Sequence, residues 1–479
     1  MQSGDRAEHE YRRRRVAHWD ALARHTDAGR GWGGYYHARL ARLYRMQISP
    51  GQRVLEIGCA RGDLLAALEP GEGVGIDFSA EMIARARRAH PHLMFVEADA
   101  HAIPLEGPFD IIVLSDLVND AWDVQQIFSE VRRLSGPATR ILVNVYSRVW
   151  EVPLAIAGSL GLARPNLPQN WLTVEDLTHL CELTGLEIVR RWQEFLLPLP
   201  LPLLAPFANR VLARLWPFRA FALTNVLVAR PAPRPRPDDP PPRVSVVVPA
   251  RNEADNIAEI FDRMPRMGAG TEVVFVEGHS EDATYDTIAA EIARRPGVAC
   301  QLHRQTGAGK GDAVRLGFAH ATGDVLMILD ADLTVPPEDL PRFYEALVEG
   351  KGEFVNGVRL VYPMEERAMR FLNLLGNKFF SLAFSRVLGQ PVKDTLCGTK
   401  VLRRDDYERI AANRATFGDF DPFGDFDLLF GAARLNLKIV DLPIRYRERR
   451  YGATNIDRWR HGALLFRMLG FAATRLWMI

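Results

Sequence analysis

The sequence predicts an α/β protein of two domains in series, each built on a parallel-rich sheet. Three observations carry this. At 479 residues the chain exceeds the roughly 250–300 residues at which one hydrophobic core stops growing. Two separate series of short apolar runs, each run ending at a glycine or an acid, occupy the two halves. Between them Pro231 to Pro242 is a proline-rich stretch that cannot sustain strand hydrogen bonding and reads as a semi-rigid linker. The expected boundaries are a first domain over 1–230, a linker over 231–242 and a second domain over 243–479.

Composition narrows the function classes. Lys plus Arg number 60 and Asp plus Glu 59, so no global charge argues for a nucleic-acid partner. The four cysteines, Cys59, Cys181, Cys300 and Cys397, lack any CxxC spacing. That argues against a disulfide scaffold or a structural zinc site and suits a reducing cytoplasm. An Arg12–Arg15 run near the start has no apolar stretch after it, so no signal peptide is expected.

The first fifty or so residues read as polar helix, with Tyr35, Leu40, Leu43 and Tyr44 at helical spacing. Arg53 to Asp63 is a short apolar strand running into a turn, where Gly58 and Gly62 let the backbone bend tightly and approach a ligand. Strands at Gly73 to Asp77 and Leu93 to Asp99 each end in an acid, and Phe109 to Leu114 and Ile141 to Val145 continue the series. A glycine loop followed by a carboxylate placed for ribose hydroxyls is the order of a mononucleotide-binding half. Glu56, just ahead of Gly58, would sit poorly beside a diphosphate, which argues against a dinucleotide.

From about Arg53 to Val145 the chain resembles the class I S-adenosylmethionine-dependent methyltransferases, a Rossmann-like fold, and in particular their small-molecule branch. The resemblance implies S-adenosyl-L-methionine as cofactor. It also implies Glu56, Gly58 and Gly62 around the methionine part, Asp77 on the ribose hydroxyls, and Asp99 with Ala100 near the adenine. No catalytic base is evident. Ser115 to Asp120 reads as an acceptor-side loop or, equally, as a polar loop opening a helix. Methyl transfer can run on proximity and orientation alone, so the methyl acceptor stays open.

Phe195 to Pro206 is apolar but broken by prolines, and Arg210, Arg214 and Arg219 follow. A membrane span needs ~20 uninterrupted apolar residues, so this stretch is expected to be a buried extension of the first domain rather than a substrate-covering or membrane-touching flap.

The second half opens on a strand from Val244 that ends at Pro249, with Arg251, Asn252 and Glu253 after it. Glu272 to Glu277 runs into Gly278, His279, Ser280 and Asp282. Arg304 to Gly317 is basic and glycine-rich around Lys310, which reads as meeting phosphate although the GK[ST] of a phosphate loop is missing. Val325 to Leu329 is the continuous apolar run of a strand covered on both faces, and Asp330 and Asp332 follow it. Two carboxylates beyond a buried strand repel each other unless a cation lies between them. A hard divalent ion, able in turn to hold a diphosphate, is the natural candidate.

This order resembles the family-two glycosyltransferases with a GT-A fold, and most closely their polyprenyl-phosphate (dolichyl-phosphate) hexosyltransferases, from Val244 to the C-terminus. The resemblance implies Pro249, Arg251 and Glu253 around the donor nucleotide, with Glu277 and Asp282 beside its base and ribose. Asp330 and Asp332 would hold the sugar diphosphate through Mg2+ or Mn2+. Glu277-Gly278-His279-Ser280 departs from the family's Asp-Asp-Gly-Ser turn. Lys393 to Arg404 matches the acceptor-side segment, and Asp425 and Asp427 stand where the subgroup places an acid near the acceptor. Arg445 to Asn455 resembles the terminal phosphate-gripping loop: Arg449 and Gly452 match, and Asn455 replaces its lysine. Asp332, Asp427 and Asp425 are the candidate catalytic carboxylates, with Asp427 or Asp425 as general base if the acceptor is a hydroxyl.

Arg367 to Leu388 carries Asn373, Asn377, Ser381 and Ser385 every fourth residue against an apolar side, and Trp459 to Ile479 is apolar but interrupted by Arg460, Arg467 and Arg475. Neither is a span. Each reads as an interfacial or a core-facing helix, and the resemblance favours membrane contact for the first. The expectation is a bifunctional transferase using a nucleotide-diphospho-sugar and a polyprenyl phosphate or glycolipid acceptor. It would be cytoplasmic, peripheral on the membrane face, and would bind no nucleic acid. The alternative is transfer to a saccharide hydroxyl, with a first domain that binds S-adenosylmethionine without turnover.

Overall fold

The computed structural model describes residues 3–25, 32–159, 167–233, 240–359, 371–414, 426–444 and 458–474. The chain divides into two compact units, Met1–Ala232 and Pro233–Trp477. Both are α/β, each built on one mostly parallel seven-stranded sheet.

In the first unit seven strands form one sheet: β1 (Arg53–Ile57), β2 (Glu72–Asp77), β3 (Met94–Glu97), β4 (Phe109–Ser115), β5 (Ser135–Tyr146), β6 (Leu186–Glu194) and β7 (Thr224–Pro231). Their order is β3-β2-β1-β4-β5-β7-β6, with β1 to β5 in parallel pairs and β7 antiparallel to both its neighbours. Strands β1 and β4 pair at the point where the strand order reverses, the crevice in which open α/β sheets bind ligands. Both faces are covered, which is why the strands read as continuous apolar runs. Leu55, Ile57, Ile112 and Leu114 face one core, and Val54, Ile111, Val113 and Leu142 the other. Each such side chain contributes roughly 1.5–3 kcal/mol when fully buried. The flanking helices start at side-chain caps: Ser79 accepts the Met82 N–H at 3.1 Å and Asp123 that of Gln126 at 3.0 Å.

The segment between β6 and β7 differs from the sequence expectation. It is a buried extension only in part: in Phe195–Pro206, Phe195 and Ala205 are fully buried while Leu203 is 88% exposed, and Trp216 further on is 78% exposed. An apolar run interrupted by proline cannot form a regular amphipathic element, so its leucines do not all turn inward.

The second unit carries β8 (Val244–Ala250), β9 (Thr271–Glu277), β10 (Cys300–Arg304), β11 (Val325–Ile328), β12 (Phe354–Val358), β13 (Lys400–Arg403) and β14 (Ile439–Pro443). Their order is β10-β9-β8-β11-β13-β12-β14, and β13 runs antiparallel between β11 and β12. Val246, Val248, Met327 and Leu329 lie in one core, while Val247, Leu326 and Ile328 are equally buried on the other face. The carboxyl ends of β8, β9 and β11 therefore share one edge.

Helix Phe371–Leu388 packs on helix Arg458–Ala472 through Phe380 and Phe466, whose rings are 4.9 Å apart. The Ser381 and Ser385 hydroxyls donate to the Val392 carbonyl at 2.9 and 3.0 Å, so these two serines are turned into the unit. Phe379, Leu382 and Phe466 remain exposed. No helix among the described residues is long and apolar enough to cross a membrane.

Candidate active sites

The first site is built on the β1 loop. Gly58 and Gly62 have φ of 76° and 73°, the left-handed region that favours glycine. A Cβ at Gly62 would lie 2.5 Å from the Phe95 ring, and one at Gly58 would lie 2.9 Å from Leu117. Asp77, at the end of β2, holds this loop: its carboxylate accepts the Ala60 and Ser79 N–H groups, both at 2.9 Å. Each oxygen keeps a lone pair for a further donor, as a ribose hydroxyl would supply. Burial raises Asp77 above the usual carboxylate range.

Glu56 is 3% exposed and accepts the Leu65 N–H at 3.0 Å in the first turn of helix Asp63–Ala67. Burial pushes its carboxyl up to about 8, against the pull of that hydrogen bond. A cationic ammonium nearby is what would return it to the ionised form.

Asp99 and Ala100 line a recess whose other side is the N-terminal helix Ser3–His25, through Tyr11, Arg12 and Val16. Arg12 pairs with Asp99 at 2.7 Å and the His101 ring nitrogen lies 2.6 Å from its other oxygen. Burial works against ionisation of Asp99, but His101 and Arg12 outweigh it and hold the carboxyl below its ordinary range. Arg15 and Trp19 of the same helix reach Asp120, at 3.2 and 3.0 Å.

Beyond β4, Asp116 adopts a left-handed backbone (φ 55°) and receives the Tyr36 hydroxyl at 3.0 Å and the Asn144 amide at 2.5 Å. Tyr44 donates to Asn144 at 2.6 Å. Burial pushes Asp116 up to about 7 in spite of these two donors. Leu117, the next residue, is the one that packs on Gly58.

In the second unit the Asp330 carboxylate stands at the end of β11 and meets the Lys310 ammonium at 2.6 Å. Lys310 is the first residue of helix Lys310–His320, and Gly309 before it has φ 86°. A Cβ at Gly398 would collide with both partners, so a side chain there would have to displace the pair. Burial pushes Asp330 up, but Lys310, then Arg359 and Lys400, outweigh it and hold the carboxyl below its ordinary range. Asp332 accepts the Thr334 N–H at 3.1 Å and its hydroxyl at 2.8 Å.

The first two strand ends are tied together. Pro249 lies within β8, and Arg251 beyond it is exposed. Glu253 is buried and accepts the Asn256 amide at 2.7 Å. Glu277 accepts the Ser280 N–H at 2.5 Å, and Ser280 in turn accepts the Asn252 N–H at 3.0 Å. Asp282 accepts N–H groups from Thr284 and Ala254, and these donors hold it low against the effect of burial. The His279 ring nitrogen is 3.0 Å from the Gly307 carbonyl, which joins the β9 turn to the glycine-basic loop. Pro249, Glu253, Glu277, Lys310, Asp330 and Asp332 thus share one sheet edge, with exposed Arg251 and partly buried Asp282 on its loops.

Asp427 opens helix Phe426–Arg434 and pairs with Arg414 at 2.8 Å. Asp425 and Arg449, with Gly452 and Asn455, lie outside the described residues, as do 367–370 of the first amphipathic stretch and Arg475 of the second.

Several polar residues at these sites carry no sequence signal. Arg359 forks onto Asp394 at 2.7 and 2.9 Å. Lys400, fully buried at the start of β13, donates to Asn356 at 2.9 Å and to the Cys397 carbonyl at 2.7 Å. In the first unit Arg12, Tyr36 and Asn144 were likewise unmarked. A lysine opening an otherwise apolar strand was the one available hint, at Lys400.

Among the described residues no three His, Cys, Asp or Glu side chains cluster as a metal cage. Two carboxylates at a strand end nevertheless suit Mg2+ or Mn2+, because such ions take one or two protein carboxylates and complete their shell with substrate phosphate and water. The glycine loop with Asp77 likewise fits a nucleoside cofactor.

Residues 245–411 match the family described as Glycosyl transferase family 2, and residues 54–138 the one described as Methyltransferase domain. An undecaprenyl-phosphate 4-deoxy-4-formamido-L-arabinose transferase of Edwardsiella ictaluri is 29% identical over 218 residues, which cover 44% of this chain and 61% of that protein. A dolichol-phosphate mannosyltransferase of Pyrococcus furiosus is 31% identical over 179 residues, covering 36% and 50%. This chain therefore spans 61% of the length of the first relative and 50% of the second. The solved glucosyl-3-phosphoglycerate synthase of Mycobacterium tuberculosis, in complex with Mn2+ and UDP, is 21% identical over 49% of this chain and 80% of that one, with a TM-score of 0.37. The chain joins two transferase domains on one polypeptide, a methyltransferase domain and a family 2 glycosyltransferase domain.

Proposed function

We propose that the second unit transfers a hexose from a nucleotide-diphospho-sugar to a polyprenyl phosphate with inversion, assisted by Mg2+ or Mn2+. The observation that carries this is the convergence of Asp330, Asp332 and Lys310 at the end of β11, beside the Glu253 and Glu277 turns. Glu253, Glu277 and Asp282 would seat the nucleoside, and Arg251 and Lys310 would meet the phosphates. The metal, held by Asp330 and Asp332, would supply charge neutralisation to the departing diphosphate. Lys310 adds a cation at the same atoms, which Arg359 and Lys400 reinforce from behind.

The nucleophile decides whether a base is needed. A phosphate monoester has a second pKa near ~6 and is already anionic near neutrality. Asp427 is engaged by Arg414, so a hydroxyl acceptor would have to displace that ion pair to reach it, which supports a phosphate rather than a hydroxyl acceptor. The names of the Edwardsiella and Pyrococcus relatives support the same acceptor class. Asp425 and Arg449 are proposed on the acceptor side by resemblance. The exposed Phe379, Leu382 and Phe466 support a peripheral seat on the cytoplasmic membrane face.

The first unit is proposed to bind S-adenosyl-L-methionine, with Gly58 and Gly62 admitting the backbone close to the cofactor. Asp77 would take the ribose hydroxyls, Asp99 and Ala100 the adenine, and Glu56 the ammonium side. The cofactor would supply an activated methyl group. Domain limits of 1–230, 231–242 and 243–479 belong to the same reading. Labelled nucleotide sugars offered with polyprenyl phosphate or with soluble saccharides, with and without a chelator, test it. Label entering the saccharides alone would refute the lipid-phosphate acceptor.

A further inference from the structure

The β6–β7 connection of the first unit is unusual in length and in what it shows to solvent. Antiparallel neighbours are ordinarily joined by about 2–5 residues. Here Glu194 ends β6, Thr224 begins β7, and everything from Phe195 to Leu223 is inserted between them. The base of the insertion is pinned. Asn209 exchanges two hydrogen bonds with the Leu197 backbone, at 2.8 and 2.7 Å, and buried Glu194 pairs with both Arg39 and Arg214. The outer side is apolar: Leu203, Phe207, Trp216 and Phe221 are more than half exposed. Helix Glu151–Ser159 adds Val152 and Ile156 beside it, tied on by the Trp150 indole, which donates to the Phe221 carbonyl at 2.8 Å.

The charges on this surface are mostly of one sign. From Phe195 to Leu223 there is no Asp or Glu, and Arg219 is exposed while Arg210 is partly so. Arg148 is exposed ahead of the neighbouring helix, whose single acid is Glu151. A rigidly based apolar patch with a tryptophan and a cationic fringe matches an anionic bilayer interface, where aromatic rings sit at headgroup depth and arginines meet lipid phosphates.

We propose that the Phe195–Leu223 insertion is an interfacial surface that seats the first unit on an anionic bilayer. The insertion rises from the ligand edge of the sheet. Thr224 pairs with Tyr146 at the end of β5, and its hydroxyl lies 3.4 Å from the Tyr36 hydroxyl that binds Asp116. The surface thus brings the cofactor-side edge of the first sheet to the membrane plane. This stands on the first unit alone and is independent of the lipid acceptor proposed for the second.

The test uses the full chain with Leu203→Cys carrying an environment-sensitive nitrobenzoxadiazole probe; Cys59, Cys181 and Cys397 are buried, and labelled wild type gives the background. Vesicles are equal parts phosphatidylglycerol and phosphatidylcholine. The proposal expects a blue shift, quenching by doxyl lipid and protection from iodide, all only when vesicles are present. A chain that co-sediments while the probe stays open to iodide would show docking through the second unit and overturn it. Protection from iodide without vesicles would show that protein covers the patch, and would overturn it as well. Joint Leu203→Glu and Trp216→Glu substitution, with the far-ultraviolet spectrum unchanged, should cut vesicle partition about tenfold or more; unchanged partition contradicts the proposal.

Discussion

Lys310 and Asp330 meet at 2.6 Å beyond the end of β11, in the space that a Cβ at Gly398 would enter. The ammonium therefore holds one of the two carboxylates proposed for the metal, and ammonium and metal compete for it. Lys310→Met should bind Mn2+ about tenfold more tightly than wild type in the absence of nucleotide, because the remaining carboxylates repel without a cation. The same variant should bind donor nucleotide more weakly. Calorimetric Mn2+ titration measures the first effect, and equal Mn2+ affinity would show that the two cations do not share Asp330.

Asp427 separates the acceptor classes. Loss of a general base typically costs about 10²–10⁴ in rate. With a lipid-phosphate acceptor, Asp427→Asn should lose less than about tenfold, since the nucleophile is already anionic. Initial rates on polyprenyl phosphate provide the comparison, and complete loss would point to a hydroxyl acceptor or another role.

Glu56 gives the first unit a pH signature. Its proton is held more tightly in the folded chain, where burial pushes the carboxyl up to about 8 from an ordinary value of 4.5. This contribution to stability is fully present below the unfolded value and fades as pH rises through the folded one. An ammonium arriving with the cofactor would favour ionisation, so binding near neutrality should release up to about one proton. Calorimetry of S-adenosylmethionine binding in buffers of different ionisation heat measures the release. Glu56→Gln should abolish it; an unchanged release would assign the proton to Asp116 or Asp77 instead.

Gly62 is constrained twice, by its φ of 73° and by the Phe95 ring 2.5 Å from where a Cβ would sit. Gly62→Ala should lower stability by about 1–3 kcal/mol and weaken cofactor binding. Adding Phe95→Leu should restore only the steric part. Denaturant midpoints of the two variants test this, and a neutral Gly62→Ala would show that the loop relaxes freely.

The fold was legible because both sheets are covered on two faces, so their strands are uninterrupted apolar runs that stop where the ligand edge begins. Asp77, Asp330 and Asp332 stood out through that local contrast. Lys400 and Arg359 did not, because their partners Asn356 and Asp394 are 44 and 35 residues away in sequence. Asp116 is set off by Tyr36, 80 residues upstream, and by a backbone angle that composition does not mark. The Phe195–Pro206 stretch departs in part from expectation for a different reason. Apolar content states that a surface avoids water, not whether protein or lipid replaces it.

The most direct test of the account is transfer of labelled hexose from nucleotide sugar to polyprenyl phosphate by the intact chain, beside its Asp332→Asn variant. The account predicts label in the organic phase that requires Mg2+ or Mn2+ and falls by at least about a hundredfold in the variant. Organic-phase label that survives both chelation and Asp332→Asn would contradict it.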